Sequence, residues 1–349
     1  IYPQEDDSVL QYLDDDGTPV EPIYYVPIIP MILVNGSKGI GTGFSTEILC
    51  YNPNELLNYI QCYISEKELP TLEPYYEGFK GSIEKIDINK WLIKGCYEII
   101  DKKTIRVTEL PIGIWTDDYK KFLEGLRDKK AKSSLIKSFK DMSTDTEVEF
   151  VIKTKPGKPE NLVSSVVEYD CSNLEKKFKL YTSKNTNNMN LFNTKFQLRK
   201  YDTIYDIIED DYFPTRLELY SKRKAYQLKL LRRDLVLIIN KVKFIRLQCD
   251  GTLDMRGKKK QQVIDLLVGH DFNVIDGDKE FKYLRNMTFD NIIEENIHKL
   301  IQERDQLKAT FDQLKAMSPA SIWFGELREF RKQYTIYQKQ RSLRMKPSN

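Results

Sequence analysis

The stretch LELYSKRKAYQLKLLRRDLVLIINKVKFI, residues 217–245, repeats apolar side chains at alternating intervals of four and three positions. Seven of the nine positions in this series are apolar, and Ser221 and Lys224 are the exceptions. Such spacing is typical of a long helix that packs against another helix along one side. Ahead of it, residues 203–211 predict a short helix, and Pro214 predicts a kink or a helix start.

A second series with the same spacing runs through residues 293–314 and supplies a partner for the first helix. An insert of roughly 45 residues between the two series is long enough for a small globular knob. We therefore predict a long antiparallel coiled coil tipped by a small helical knob, formed by residues 201–247, 291–317 and 248–290. Ser318 followed by Pro319 predicts the start of a last helix, which carries Trp323 and Phe330.

The first two hundred residues mix strand and helix patterns. Residues 1–30 are acidic and broken by prolines, as in a connector between domains. NPNELLNYIQCYISEK (52–67) predicts a helix with Asn52 as its N-cap and Pro53 in its first turn. A second helix is predicted at 116–127, and strands at MILVNG (31–36), GSIEKI (81–86), CYEII (96–100), TIRVTEL (104–110), EVEFVIKT (147–154) and KFKLYTS (177–183). The fold class is therefore α+β, a mixed region followed by long helices.

Charge is unevenly distributed along the 349 residues, although the net charge is only +3. Residues 1–80 hold 13 acidic and 3 basic side chains, so the basic excess lies downstream. Basic clusters can neutralise nucleic-acid phosphates, but they also form ordinary solvated faces of helices and loops. The clusters are Lys129–Lys132, Lys137–Lys140, Lys153–Lys158, Lys222–Lys224 and Lys258–Lys260.

Five widely spread cysteines and only two histidines limit the chemistry of the chain. Without a C-x-x-C pair or an H-E-x-x-H motif, we expect free thiols in a reducing compartment, no zinc site and no histidine-based triad. The acidic runs Asp14–Asp16 and Asp210–Asp211 lack the spacing of a hard-cation loop. No apolar run is long enough to span a bilayer and no secretory signal is present, so we expect no membrane partner. A chain that starts at Ile1 is expected to be a soluble part of a longer protein.

VNGSKGIGTGF, residues 34–44, surrounds Ile40 with glycines. It matches neither G-x-x-x-x-G-K-[ST] nor G-x-G-x-x-G, the common phosphate-binding patterns. One interpretation is a tight turn whose glycines adopt positive φ angles. The other is a DNA-contacting loop in which Ile40 enters between base pairs, as the apolar wedges of DNA-bending proteins do, and Lys38 reaches a phosphate. The residues that set the loop geometry are Gly36, Gly39, Gly41, Thr42 and Gly43.

VTELPIGIWTDDYK, residues 107–120, is a strand that runs through Pro111 and Gly113 into a loop and then a helix capped by Thr116. Trp115 lies at the junction between loop and helix. One interpretation is that Trp115 packs in the core. The other is that its indole N–H reaches a ligand phosphate.

Several long segments resemble type IIA DNA topoisomerases, and the eukaryotic topoisomerase II branch in particular. The resemblance covers essentially the whole chain, with its segments in the same order. The segments are VEPIYYVPIIPMILVNGSKGIGTGFST (20–46), YYEGFKGSIEKI (75–86), IRVTELPIGIWTDDYKKFLEGL (105–126), FQLRKYDTIYDIIEDDYFPTRLELYSKRK (196–224), YLRNMTFDNI (283–292) and LKAMSPASIW (314–323).

This resemblance implies an ATP-dependent enzyme that passes one duplex through a transient double-strand break in another. It also implies double-stranded DNA as a partner and a homodimer joined at the C-gate. Pro214 interrupts a helix that the family usually continues, so a different bend is expected there. The implied regions are the exit from the winged-helix domain (1–30), the tower domain (31–200), the coiled-coil arm (201–247 and 291–317), the C-gate knob (248–290) and a C-terminal helix (318–349).

The resemblance also assigns roles to single residues. In the family, the isoleucine of the G-I-G-T-G loop inserts between base pairs and bends the cleaved duplex, which corresponds to Ile40. The tryptophan of the T-E-L-P-x-x-x-W-T segment contacts DNA, which corresponds to Trp115. The family commonly has a small residue and an acid where this chain has Ser37 and Lys38, so the phosphate contact of Lys38 is inferred from this sequence alone.

No tyrosine of the chain has the sequence context of the family's nucleophile. We therefore expect no catalytic and no metal-binding residue here, with the nucleophile and the Mg²⁺ and ATP sites upstream of Ile1. The implied location is intracellular: the nucleus for a cellular eukaryotic enzyme, or the host cytoplasm or virion for a cytoplasmic large DNA virus. Two alternatives stay open, a non-enzymatic architectural DNA-binding or coiled-coil scaffold protein and a nucleotide-binding protein that uses the glycine loop.

Overall fold

The computed structural model describes residues 1–127, 135–155, 165–288 and 294–344. These residues divide into two compact units. The first unit joins Ile1–Ile28 to Thr215–Glu326, and the second joins Ile29–Pro214 to the residues from Leu327 onward. The predicted α+β class is confirmed, and each unit brings together segments that are far apart in the sequence.

The helices of the described residues are α1 (Met31–Asn35), α2 (Pro53–Ile64), α3 (Thr116–Arg127), α4 (Asn173–Lys177), α5 (Ile204–Asp206), α6 (Phe213–Cys249), α7 (Lys260–Gly269), α8 (Lys282–Arg285), α9 (Glu294–Ala316) and α10 (Pro319–Arg344). The strands are β1 (Tyr12–Asp15), β2 (Thr18–Pro22), β3 (Ser37–Ile40), β4 (Ser45–Ile48), β5 (Ser82–Asp87), β6 (Lys90–Lys94), β7 (Cys96–Asp101), β8 (Thr104–Glu109), β9 (Ile136–Asp141), β10 (Phe150–Thr154), β11 (Val166–Glu168), β12 (Cys171–Ser172), β13 (Tyr181–Asn185), β14 (Met189–Phe192) and β15 (Leu198–Tyr201).

The second unit is built on antiparallel sheets with helices packed against them. One sheet has the strand order β7-β8-β10-β9, and α3 buries Tyr119 and Leu123 against it. Another has the order β13-β6-β5. A separate apolar core surrounds α2 and includes Leu33, Leu56 and Ile208. The helix predicted for 52–67 is present, and the side chain of Asn52 accepts a hydrogen bond from the backbone N–H of Asn54.

Two of the strand predictions in this unit need correction. MILVNG forms the short helix α1 instead of a strand, because Pro30 precedes its first turn and Gly36, at φ 65°, ends it. A short apolar run does not by itself distinguish a buried helix from a buried strand. In KFKLYTS only the end is a strand, since β13 begins at Tyr181.

The first unit contains the long helices that the heptad spacing predicts. The helices α6 and α9 run antiparallel: Ile238 and Val242 of α6 pack against Ile297 near the start of α9. At the other end of α9, Lys224 donates a hydrogen bond from Nζ to the carbonyl of Lys315 at 3.0 Å. Residue 293, the first position of the second series, lies outside the described residues. Between the helices, α7 and α8 enclose a small core.

Residues 1–28 are more ordered than the sequence predicts for a connector. The strands β1 and β2 form a hairpin. Asp6 is buried in the first unit, and the backbone carbonyl of Ile28 accepts a hydrogen bond from the indole of Trp323 at 3.0 Å. The acidic composition did not predict this anchored segment, because the buried carboxylate of Asp6 pairs with arginines more than 200 positions away in the sequence.

The segment before Pro214 is helical, as predicted, but its last turns are wide. The helix α5 passes into a π-helical segment at Ile207–Tyr212 directly before α6. Proline has no N–H to donate to the carbonyl four residues earlier, and a π turn accommodates such a local mismatch. None of the helices in the described ranges is both long enough and apolar enough to cross a lipid bilayer.

Candidate functional site

The glycine-rich stretch forms a β-hairpin in which β3 and β4 are antiparallel. Ile40 lies opposite Ser45, and the backbone N–H of Gly41 donates a hydrogen bond to the carbonyl of Phe44 at 2.8 Å. Successive side chains of a strand point to opposite faces, so Lys38 and Ile40 lie on the same face. Ile40 is 92% exposed. An apolar side chain at the end of a narrow hairpin is thus held in solvent beside a lysine.

The four glycines of this hairpin serve two different purposes. Gly36 and Gly43 have φ angles of 65° and 89°, as the tight-turn interpretation predicts. A Cβ at Gly36 would also lie 2.7 Å from the carbonyl oxygen of Ile48. Gly39 has no such constraint, since a Cβ added there would lie 3.8 Å from its nearest neighbour, a methyl of Thr46. At Gly41 an added Cβ would meet only the ring of Phe44, at 3.1 Å. Gly39 therefore leaves its side of the strand open, whereas the ring of Phe44 covers Gly41.

Trp115 does not pack in the core, so that interpretation is wrong. Its side chain is 74% exposed, whereas Trp91 and Trp323 are buried. The residue directly precedes α3, and its carbonyl accepts a hydrogen bond from the N–H of Tyr119 at 2.9 Å. The start of the helix fixes the backbone at this position and leaves the indole in solvent.

Lys184 of β13 connects the loop before Trp115 with the hairpin. Its Nζ lies 2.7 Å from a carboxylate oxygen of Glu47 in β4. The same Nζ is 3.9 Å from the position that a Cβ would take at Gly113. Glu47 is the cross-strand neighbour of Lys38. The structure therefore brings the hairpin and the Trp115 loop to a common side of the second unit, with a lysine between them.

The hairpin β14–β15 lies beside the glycine-rich hairpin, and the sequence pattern did not predict it. The backbone N–H of Glu47 donates to the carbonyl of Asn188 at 2.7 Å, and the side-chain amide of Asn190 donates to the carbonyl of Ser45 at 2.6 Å. Asn190 belongs to β14, which pairs with β15. The signal in the sequence is weak: a few alternating apolar residues on either side of Asn193, a residue that favours turns.

The structure describes only some of the predicted basic clusters. In Lys222–Lys224 all three side chains make internal contacts: Lys222 pairs with Glu218, Arg223 with Asp6, and Lys224 with the end of α9. That cluster is structural. The cluster Lys129–Lys132 and the second half of Lys153–Lys158 lie outside the described residues.

The five cysteines are free thiols, as predicted. Burial raises the pKa of the Cys50 thiol, which donates to the carbonyl of Asn35. Within the described ranges, no three His, Cys, Asp or Glu side chains come together to hold a metal ion. The candidate site thus consists of exposed apolar, aromatic and lysine side chains, and such surfaces bind partners through contact area and charge.

Comparisons with known proteins give a consistent result. The model of the A-subunit family of DNA gyrase/topoisomerase IV matches residues 1–328. Among curated proteins, DNA topoisomerase 2 of Pisum sativum is 33% identical over 95% of the chain, and DNA topoisomerase 2 of Acanthamoeba polyphaga mimivirus is 33% identical over 96%. The solved structure of the topoisomerase II DNA-binding, cleavage and re-ligation domain of Plasmodium falciparum matches with a TM-score of 0.80 at 32% identity.

These matches cover the chain far more fully than they cover the relatives. The chain spans 25% of the Pisum sativum protein and 31% of the mimivirus protein. The Plasmodium falciparum match covers 97% of the chain and 49% of the solved chain.

Proposed function

Because the chain belongs to the A-subunit family of DNA gyrase/topoisomerase IV, we propose that it is the DNA-bending and C-gate portion of an ATP-dependent type II DNA topoisomerase. The full enzyme would pass one duplex through a transient double-strand break in another and so change DNA topology. The observation that carries this proposal is the hairpin that holds Ile40 92% exposed on the same strand face as the exposed Lys38.

We assign Ile40 the role of a wedge that enters between two base pairs and bends the duplex. Unstacking a base step costs about a few kcal/mol, which the additional contacts of a bent duplex offset. Those contacts need an element that approaches DNA closely, which a narrow two-stranded hairpin allows. Lys38, on the same strand face, is positioned for a neighbouring phosphate, and the exposed Trp115 for a contact through its indole N–H.

We further propose that the second unit contains the tower and that α6 and α9 form a coiled-coil arm with the C-gate knob between them. Supporting this assignment are the antiparallel packing of the two helices and the small core around Phe244 and Leu267 between them. We propose that the full enzyme dimerises through this knob, and the family relationship supports this proposal. Sedimentation of the chain as a dimer is the expected result.

Bond breakage, ATP hydrolysis and Mg²⁺ binding are assigned to parts of the enzyme outside this chain. The described side chains do not fit a metal site, since no cluster of three suitable ligands occurs among them. What these residues supply is binding and deformation of the duplex. Whether the enzyme acts in a nucleus, a host cytoplasm or a virion stays a prediction, since relatives come from plants and from a virus.

Both alternative functions are less well supported. The family relationship favours the enzyme over a non-enzymatic scaffold protein. A nucleotide-binding loop normally leads from a strand to a helix N-terminus, whereas this glycine loop connects two antiparallel strands, β3 and β4. Titration of ATP into the isolated chain should therefore give no binding.

The test is the bend angle of a duplex bound to the full-length enzyme, measured by fluorescence transfer between its labelled ends. Ile40→Ala should reduce bending and supercoil relaxation and leave the fold and the basal ATPase rate unchanged. Ile88→Ala is the matched control, since Ile88 is a second highly exposed isoleucine at a hairpin turn, between β5 and β6. Equal bending by the wild type and Ile40→Ala contradicts the role of Ile40.

A further inference from the structure

The hairpin β14–β15 exposes apolar side chains that have no role in the proposed function. Met189 and Tyr201 are buried in the core of the second unit, and Leu191 packs against the same core. The alternate positions face away from that core, as the period of a strand requires. Phe192 is 63% exposed, and Leu198 directly opposite it in β15 is also exposed.

The hairpin β14–β15 ends at the same level as the Ile40 hairpin. Glu47 bonds to Asn188 and Ser45 bonds to Asn190, so β14 runs antiparallel to β4. Continuing this register by two residues brings Phe192 opposite the turn of the Ile40 hairpin, about 7 Å beyond Asn190. Both turns therefore point in the same direction. Ile40, Phe44 and Phe192 are exposed, and this register puts them at the same end of the two neighbouring hairpins.

The turn of β14–β15 holds a phenylalanine in an unusual backbone conformation. Phe196 has a φ of 58°, a region that bulky side chains seldom adopt, and its side chain is 64% exposed. The side-chain oxygen of Asn193 fixes this turn by accepting hydrogen bonds from the N–H groups of Lys195 and Gln197. Strained positions of this kind cluster at binding sites. Here the strain presents an aromatic ring to solvent.

The charge of this surface suits a polyanion. Lys195 and Lys200 are exposed, and among the described residues neither side chain takes part in an ion pair or hydrogen bond. Lys200 lies opposite Asn190 on the outward face of the hairpin. Lys38 adds a third lysine from the neighbouring hairpin. Exposed aromatic rings interleaved with unpaired lysines are typical of surfaces that bind nucleic acid.

We propose that β14–β15 is a second DNA-contacting element, in which Phe192 and Phe196 pack on the sugar and base edges of the duplex flanking the Ile40 wedge while Lys195 and Lys200 contact its phosphates. This inference rests on the proposed function, because it assigns the same duplex to both hairpins. The exposed aromatic rings and the three exposed lysines at one end of the two hairpins favour DNA over a protein partner.

The test is binding of a fluorescein-labelled linear duplex to the full-length protein, followed by anisotropy and by fluorescence transfer across the duplex. Phe192→Ser/Phe196→Ser should weaken binding about five- to tenfold. Lys195→Ala/Lys200→Ala should weaken binding in low salt and reduce the slope of log K against log salt by about two, one for each phosphate contact. Ile88→Ser is the matched control, because it removes an exposed apolar side chain from another hairpin of the same unit.

The outcomes separate this inference from the function on which it rests. Weaker binding by Phe192→Ser/Phe196→Ser, with the bend retained at saturating protein, supports the second element. Wild-type affinity in this variant, while Ile40→Ala loses the bend, overturns the second element and leaves the proposed function intact. Unchanged DNA binding with altered self-association makes the surface a protein interface and also overturns it. A wild-type protein that does not bend DNA contradicts the proposed function itself.

Discussion

Single glycines of the hairpin differ in how strongly the fold depends on them. The fold requires glycine at position 36, because its φ is 65° and a Cβ there would lie 2.7 Å from a carbonyl oxygen. Gly39 has no positive φ, and a Cβ added there would have only ordinary contacts. The sequence pattern treats these glycines alike, because local composition does not reveal which backbone atoms approach from β4.

The pair Gly36→Ala and Gly39→Ala tests this distinction. Gly36→Ala should lower the free energy of unfolding by about 1–3 kcal/mol, because alanine is strained at positive φ and meets backbone. Gly39→Ala should change it by less than about 0.5 kcal/mol, because the added methyl group has only ordinary contacts and points to the face opposite Lys38 and Ile40. Urea unfolding of the two variants measures the difference. Similar stability losses in both variants would contradict the division of roles.

At the scale of elements, the two polar residues in the apolar series of α6, Ser221 and Lys224, have specific hydrogen-bonding roles. The heptad spacing predicts α6 and α9 well, because long amphipathic periodicity is a strong signal. Its exceptions have local uses: Lys224 donates to the carbonyls of Lys315 and Met317 at the end of α9, and Ser221 donates to the carbonyl of Leu217 one turn earlier. A cation at a helix C-terminus also interacts favourably with the helix dipole.

A buried ionic cluster anchors the N-terminal segment to α6 and α10 within the first unit. Arg216 is fully buried and donates from Nη1 to Asp6 at 2.5 Å and to the carbonyl of Val26 at 2.8 Å. Arg223 donates to Asp6 and to Glu326. Burial raises the pKa of the Tyr220 hydroxyl, which stays protonated and donates to Glu326 at 2.6 Å.

Asp6→Asn should destabilise the first unit by about 3–5 kcal/mol, because it leaves buried guanidinium charge without its carboxylate. Asp254→Asn is the control. It breaks the exposed pair with Arg256 and should leave the free energy of unfolding close to that of the wild type, because solvent screens an exposed ion pair. Urea unfolding monitored by the fluorescence of Trp323, which is buried in the same unit, reports the difference. An equally small effect of both variants would mean that the cluster does not anchor the segment.

At the scale of the whole molecule, the sequence predicts helices with regular apolar spacing and long motifs. It does not predict the contacts between segments far apart in the chain. The helices α2, α3, α6 and α10 follow from capping residues and apolar spacing. The pairing of Asp6 with Arg216, 210 positions apart, has no local signal. The same holds for β14 beside β4, where Asn188 and Asn190 bond to Glu47 and Ser45. The proposed role of Ile40 rests on the resemblance to the family, and the structure adds that its side chain is exposed.

In the proposed function, Ile40 enters the DNA helix. The most direct measurement uses a duplex with the fluorescent base 2-aminopurine beside the bent step, because this base brightens when it is unstacked. Binding of the wild-type full-length protein should increase the fluorescence, Ile88→Ala should increase it equally, and Ile40→Ala should bind without the increase. The same increase with Ile40→Ala as with the wild type would contradict this claim.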